Sequence, residues 1–183
     1  MSDAKQAFAQ APQPALRSGD AFLPDDLREW VDERTLASLV VGVVADLTHG
    51  TIEPVGTGEM SPRTFLTILA YGYATGRFAS EHLEHTAATD PMFRYLCGNQ
   101  FVDWQMIRQF RRVYRSLIVR ALVELFHVVW TWRVARLANS DSDIPSPSAA
   151  RRLAVPGLDG AFQAAAESRL AQAIRGDSMA MDV

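Results

Sequence analysis

The segment from Asp103 to Arg115 reads DWQMIRQFRRVYR, and Arg108, Arg111, Arg112 and Arg115 fall within eight residues of it. Arg94 lies just upstream and Arg120 just downstream. A guanidinium presents a planar fork of donors that matches phosphate oxygens and the edge of guanine. Gln105 and Gln109 stand among the arginines, and a carboxamide can pair with adenine. Wound as a helix, Trp104, Ile107, Phe110, Tyr114, Leu117, Ile118 and Ala121 form an apolar stripe, and the four arginines occupy an arc of about 100° beside it. No acid stands on that arc at i±4, so the face is expected to project unpaired positive charge. Two readings stay open: a site for an anionic polymer, or a solvated helix face, which ordinarily mixes Glu with Arg.

The rest of the chain makes this block conspicuous. The chain has 183 residues, 48% of them hydrophobic, and a formal net charge of −3, which suits one soluble globular domain. Residues 1–60 carry four Lys/Arg against ten Asp/Glu, whereas residues 100–136 carry seven Arg against two acids. Local sign decides what a surface attracts, so the basic block, not the whole-chain charge, points to a partner. One cysteine, Cys97, excludes an internal disulfide framework and fits a reducing compartment. No secretory signal is visible, and the apolar run Leu36 to Ala45 is too short to span a bilayer. The expected location is cytoplasmic and nucleoid-associated, with no membrane partner.

Other chemistry-bearing residues are weaker. His82 and His85 lie at i, i+3 beside Glu81 and Glu84, a metal-ligand spacing, but solvent-facing helix residues are the better reading. His127 sits in an apolar run and reads as a core histidine with a local hydrogen bond. His49, before Gly50, reads as a helix end, and Cys97 reads as a small buried thiol. Gly56-Thr57-Gly58 lacks the Gly-Lys-Ser of a phosphate loop and is a turn. Trp130 and Trp132 either form an exposed apolar patch or cap the core. No metal site is expected.

Helices must position these groups. Pro24-Asp25-Asp26-Leu27 and Ser61-Pro62 are helix starts, and Asp103 can cap the basic helix. The expected helices cover a start at Pro24, then Leu36 to Leu47, Arg63 to Thr75, Ser80 to Thr89, Met92 to Leu96, one long helix from Trp104 to about Leu137, and Ala161 to about Arg175. The fold class is all-α: a multi-helix bundle with a disordered N-terminus and a flexible C-terminal tail. Residues 1–21 read as a lead-in, 22–139 as the helical DNA-binding domain, 140–150 as a linker and 151–183 as a tail with a short helix. The short helix, the turn at Cys97-Gly98-Asn99 and the basic helix have the order of a helix-turn-helix unit.

The ordered spacing of Pro62, Arg63, Leu66, Leu69, Tyr71, Gly72, Tyr73, Ser80, Glu84, Phe93, Arg94, Tyr95, Leu96, Asp103, Ile107, Phe110, Arg111 and Arg112 resembles a known pattern. It resembles the N-terminal domain of InsH-like, DDE-type bacterial insertion-sequence transposases. The resemblance covers Gly58 to Arg112 closely and extends loosely to Leu137. It implies binding of double-stranded DNA at transposon ends, with Arg108, Arg111, Arg112, Arg115, Gln105, Gln109, Arg94 and Arg77 as candidate contacts. Arg108 and Arg112 are the candidates for bases, and Arg111 and Arg115 for phosphates.

Departures limit what carries over. The family's Thr-Ile-Ser-Arg-Phe is replaced by Met106-Ile107-Arg108-Gln109-Phe110, so base preference should differ. In the family an RNase H-like core follows, whose three acids hold two metal ions. Leu158-Asp159-Gly160 stands where the first of those acids would be, so Asp159 is a candidate remnant. The sequence up to Val183 has no room for the sheet and the other acids, so alone this polypeptide is not expected to transpose DNA. No cofactor is expected, and Mg²⁺ enters only if a separate catalytic transposase chain supplies a core. The alternative is a non-catalytic interaction module that forms a homodimer through Phe126 to Trp132; a third reading is the DNA-binding half of a split transposase.

Overall fold

The computed structural model describes residues 23–49, 60–137 and 157–179. The expected lead-in (1–21), the loop from Thr51 to Gly58 and the linker (140–150) lie outside the described residues. Within them the chain forms seven α-helices and no strand: α1 (Glu33–Leu47), α2 (Pro62–Ala74), α3 (Ser80–Thr89), α4 (Pro91–Leu96), α5 (Trp104–Val113), α6 (Arg115–Leu137) and α7 (Asp159–Met179). The all-α reading holds.

Local chemistry sets most of the starts. Ser61 accepts from the N–H of Thr64 at 3.1 Å, with Pro62 opening α2. Asp90 accepts from Met92 and Phe93 ahead of Pro91, and Asp103 accepts from Gln105 and Met106. Each cap satisfies donors that the first turn leaves without an intrahelical acceptor. The start expected at Pro24 yields only a 3-10 turn, Leu27–Glu29, in which Arg28 folds its guanidinium back onto Asp26. The helix proper begins six residues later, where Asp32 takes both the N–H and the hydroxyl of Thr35.

Helix α2 lies at the centre. Every residue from Phe65 to Ala74 is buried, and the helix touches α1, α4, α5 and α6. It ends on Thr75, whose hydroxyl returns to the carbonyl of Tyr71, and on Gly76 at φ +72°, a left-handed backbone that glycine adopts without strain. Gly72 serves a close approach instead: a Cβ there would lie 2.5 Å from Cδ2 of Leu83 in α3.

The single long helix expected from Trp104 to Leu137 is broken. Tyr114, at φ −109° and ψ 33°, separates α5 from α6. The reason is packing: α5 seats on α3 and α2, whereas α6 runs along α1, α2 and α7. One straight helix could not follow both directions. The break is cheap, because the N–H of Tyr114 still reaches the carbonyl of Phe110 and the N–H of Ile118 reaches that of Tyr114.

The tail helix α7 is longer than Ala161 to Arg175 and is docked. Phe162, Ala166, Leu170 and Ala173 form one buried stripe against α6 and the core. Burying a side chain such as Phe162 or Leu170 stabilises by about 1.5–3 kcal/mol. Gly176 lets α7 approach Ala79, whose Cβ would be 3.4 Å from a Cβ at 176. Phe126, Val128 and Val129 are fully buried beneath this packing, so the segment assigned to a dimer contact is core in the monomer. Trp130 packs near Trp30 and Phe162 and caps the core.

Candidate nucleic-acid interface

The fold sorts the eight candidate DNA contacts into two groups. Arg77, Arg108 and Arg111 are turned inward or partly inward; Arg94, Gln105, Gln109, Arg112 and Arg115 are exposed.

Arg111 is 2% exposed. Its Nε donates to the hydroxyl of Tyr73 at 2.6 Å, Nη2 to the carbonyl of Phe78 at 3.1 Å, and Nη1 to the carbonyl of Ala173 and to Asp177. Asp177, near the end of α7, is the acid that the arginine arc lacks locally. The same carboxylate accepts from the N–H and hydroxyl of Ser80, which caps α3, a helix with no side-chain cap of its own. Nε of Arg108 lies 3.6 Å from Asp177, with its guanidinium over the ring of Trp104. The expectation of an unpaired arc is therefore corrected at these two positions. A phosphate contact by Arg111 would require a buried guanidinium to give up its four hydrogen bonds in the core.

The signal for Arg111 is present in the helical geometry. At 100° per residue it falls about 40° from Ile107 and between Ile107 and Trp104, inside the apolar stripe. Its surroundings raise the pKa of Tyr73: burial pushes the phenol well above its ordinary range, with Arg111 opposing, so the hydroxyl stays protonated. A second arginine from α7, Arg169, is buried against the carbonyls of Tyr73 and Pro24 and the ring of Phe126. Burial lowers its pKa to about 10, partly offset by Asp25 and Asp26. Arg77 bridges to Asp90 at 3.5 Å and lies over Phe93.

The outward group is coherent. Gln105, Gln109 and Arg112 follow one another at i, i+4 and i+7 along the solvent face of α5. Arg115 opens α6 and Arg94 lies in the last turn of α4, and none of Arg94, Arg112 and Arg115 forms an ion pair among the described residues. Two aromatics on either side of the α4–α5 turn are exposed: Tyr95 at 74%, and Phe101, which the sequence pattern does not single out, at 78%. Both α4 and α5, the two helices on either side of the turn, pack on α3.

A family model described as Transposase domain (DUF772) matches residues 20–113, from before α1 to the last residue of α5. The chain belongs to this transposase-domain family. No curated protein and no solved structure matches the chain. The matched region of the transposase domain contains Tyr73, Ser80 and Arg111, whereas Asp177 and the rest of α7 lie beyond it.

Remaining sequence candidates fall elsewhere. Asp159 is the first residue of α7, in a helix and not in a strand, and its Oδ1 lies 2.9 Å from Nε2 of His127. His127 is buried with its ring edge-on to Phe162, so its polar partner comes from the tail and not from its own helix. His82 and His85 are exposed, and among the described residues no three His, Cys, Asp or Glu side chains gather as a metal site. Cys97 is buried, and burial raises its thiol pKa to about 11. No helix among the described residues is long and apolar enough to cross a membrane.

Proposed function

We propose that this transposase domain binds double-stranded DNA through the solvent face of α5, flanked by the ends of α4 and α6. The observation that carries the reading is the set of exposed arginines, Arg94, Arg112 and Arg115, that lack a carboxylate partner among the described residues. Membership of a transposase family supports DNA as the anion. Arg112, beside Gln105 and Gln109, is placed to reach base edges, and Arg94 and Arg115 to neutralise phosphates. Arg77, Arg108 and Arg111 act by holding the helices that present this face. The finer role is recognition of insertion-sequence ends, as in the InsH-like proteins that the sequence resembles.

Salt dependence tests the reading. Two phosphates, neutralised by Arg94 and Arg115, give a log–log slope of about −2 for binding against salt concentration. Arg115→Ala should reduce the slope by about one unit and weaken all sequences alike. A folded Arg94→Ala/Arg112→Ala/Arg115→Ala variant that binds duplex DNA as the wild type does would overturn the proposal.

A further inference from the structure

Tyr95 and Phe101 are the two most exposed aromatic side chains among the described residues, and they flank the α4–α5 turn. The turn reverses the chain through two consecutive left-handed residues, Gly98 at φ 62° and Asn99 at φ 58°. The N–H of Asn99 returns to the carbonyl of Arg94 and that of Gln100 to the carbonyl of Cys97. The reversal is thus pinned by hydrogen bonds and anchored by buried Leu96, Cys97 and Val102. Two rings are held outside a turn whose other apolar residues are inside.

The residues directly before the two rings are a cation and a neutral amide. Arg94 is exposed beside Tyr95, and Gln100 is exposed beside Phe101. Nearby acids have partners: Asp103 accepts from the N–H groups of Gln105 and Met106, Glu84 from that of Trp104, and Asp90 pairs with Arg77. Exposed rings next to a free cation, with the local carboxylates occupied, suit the face of a nucleic-acid base. Every base offers a π-face, and an aromatic side chain can stack on one or wedge between two.

We infer that Tyr95 and Phe101 take up unstacked bases of the bound DNA, so that the domain prefers duplexes with locally opened or kinked base pairs. The inference rests on the proposed DNA reading and adds a second contact, separate from the charged face of α5. Stacking and charge then divide the work: Arg94 and Arg115 give salt-dependent affinity, and the two rings give the preference for distorted DNA.

The test compares two duplexes of the same sequence, one fully paired and one with a central two-nucleotide mismatch carrying 2-aminopurine, binding to the full chain. Wild type should bind the mismatched duplex about five- to tenfold more tightly per engaged ring and change the 2-aminopurine emission on binding. Tyr95→Ala/Phe101→Ala should lose both the preference and the emission change while keeping the salt-dependent binding of the paired duplex. Both positions are exposed, and an unchanged thermal midpoint confirms the fold. Equal binding of the two duplexes by wild type, with the salt slope intact, overturns this inference and leaves the DNA reading standing. Binding of neither duplex overturns both. A wild-type dimer that becomes monomeric in the double variant, with DNA affinity unchanged, overturns the inference in favour of a second copy at this turn.

Discussion

Asp177 and Arg111 are separated by 66 positions in the chain and form a buried, hydrogen-bonded ion pair. The pair joins the end of α7 to the last turn of α5, and through Ser80 it also closes the start of α3. Three helices that present or support the candidate DNA face are tied at one carboxylate.

Removing one partner of such a pair leaves an uncompensated charge in the core. Asp177→Ala should lower the unfolding free energy by about 3–5 kcal/mol in urea titrations. The paired change Arg111→Met/Asp177→Leu should cost less than Asp177→Ala alone, because no charge is then stranded. A loss within about 0.5 kcal/mol for Asp177→Ala would mean that the pair contributes nothing.

The α2–α3 crossing makes an independent prediction. Gly72→Ala puts a methyl group 2.5 Å from Cδ2 of Leu83 and 3.2 Å from the carbonyl of Arg77. Overpacking of this kind costs about 1–3 kcal/mol. Gly72→Ala/Leu83→Ala should not recover it fully, since the Arg77 carbonyl remains close. Thermal denaturation of the three proteins measures the difference.

Docking of α7 can be read without mutating its contacts. A protease site engineered between residues 140 and 150, once cut, should leave α7 bound to the body through Phe162, Ala166, Leu170, Arg169 and Asp177. The two pieces should co-elute in gel filtration and separate only in denaturant. Separation in plain buffer would show that the helix is not part of the folded unit.

Acid should expose the cap of α1. The hydroxyl of Thr35, then its N–H, holds the Asp32 carboxyl below its ordinary pKa. A carboxyl that binds protons less readily when folded adds stability above its unfolded pKa of about 3.9, and that stability is lost as pH falls through the folded value. Asp32→Ala should therefore cost about 1 kcal/mol at neutral pH. The gap between variant and wild type should shrink below about pH 4 in urea titrations. A gap independent of pH would assign the loss to something other than the charged cap.

Helix content and most starts were legible in the sequence because they depend on near neighbours. Ser61-Pro62 and Asp103 each satisfy donors two or three residues away, and the buried stripe of Ile107 and Phe110 follows from period alone. The transposase resemblance, an ordered pattern over one contiguous stretch, is likewise carried by sequence, and the family match bears it out. The pattern could not give the break at Tyr114, which arises because α5 and α6 must lie on different neighbours.

The candidate site divides in the same way. That residues 100–136 are basic is a property of composition. Which arginines reach solvent is not, because Coulomb pairing and burial depend on distance in space. Asp177 meets Arg111 and Arg108 only once α7 has packed on α6 and α3, and Asp159 meets His127 by the same docking. Sequence placed four arginines on one helical segment; tertiary packing kept Arg111 for the core, tethered Arg108, and left Arg112 and Arg115 to the solvent, since a buried guanidinium is stable only where every donor finds an acceptor.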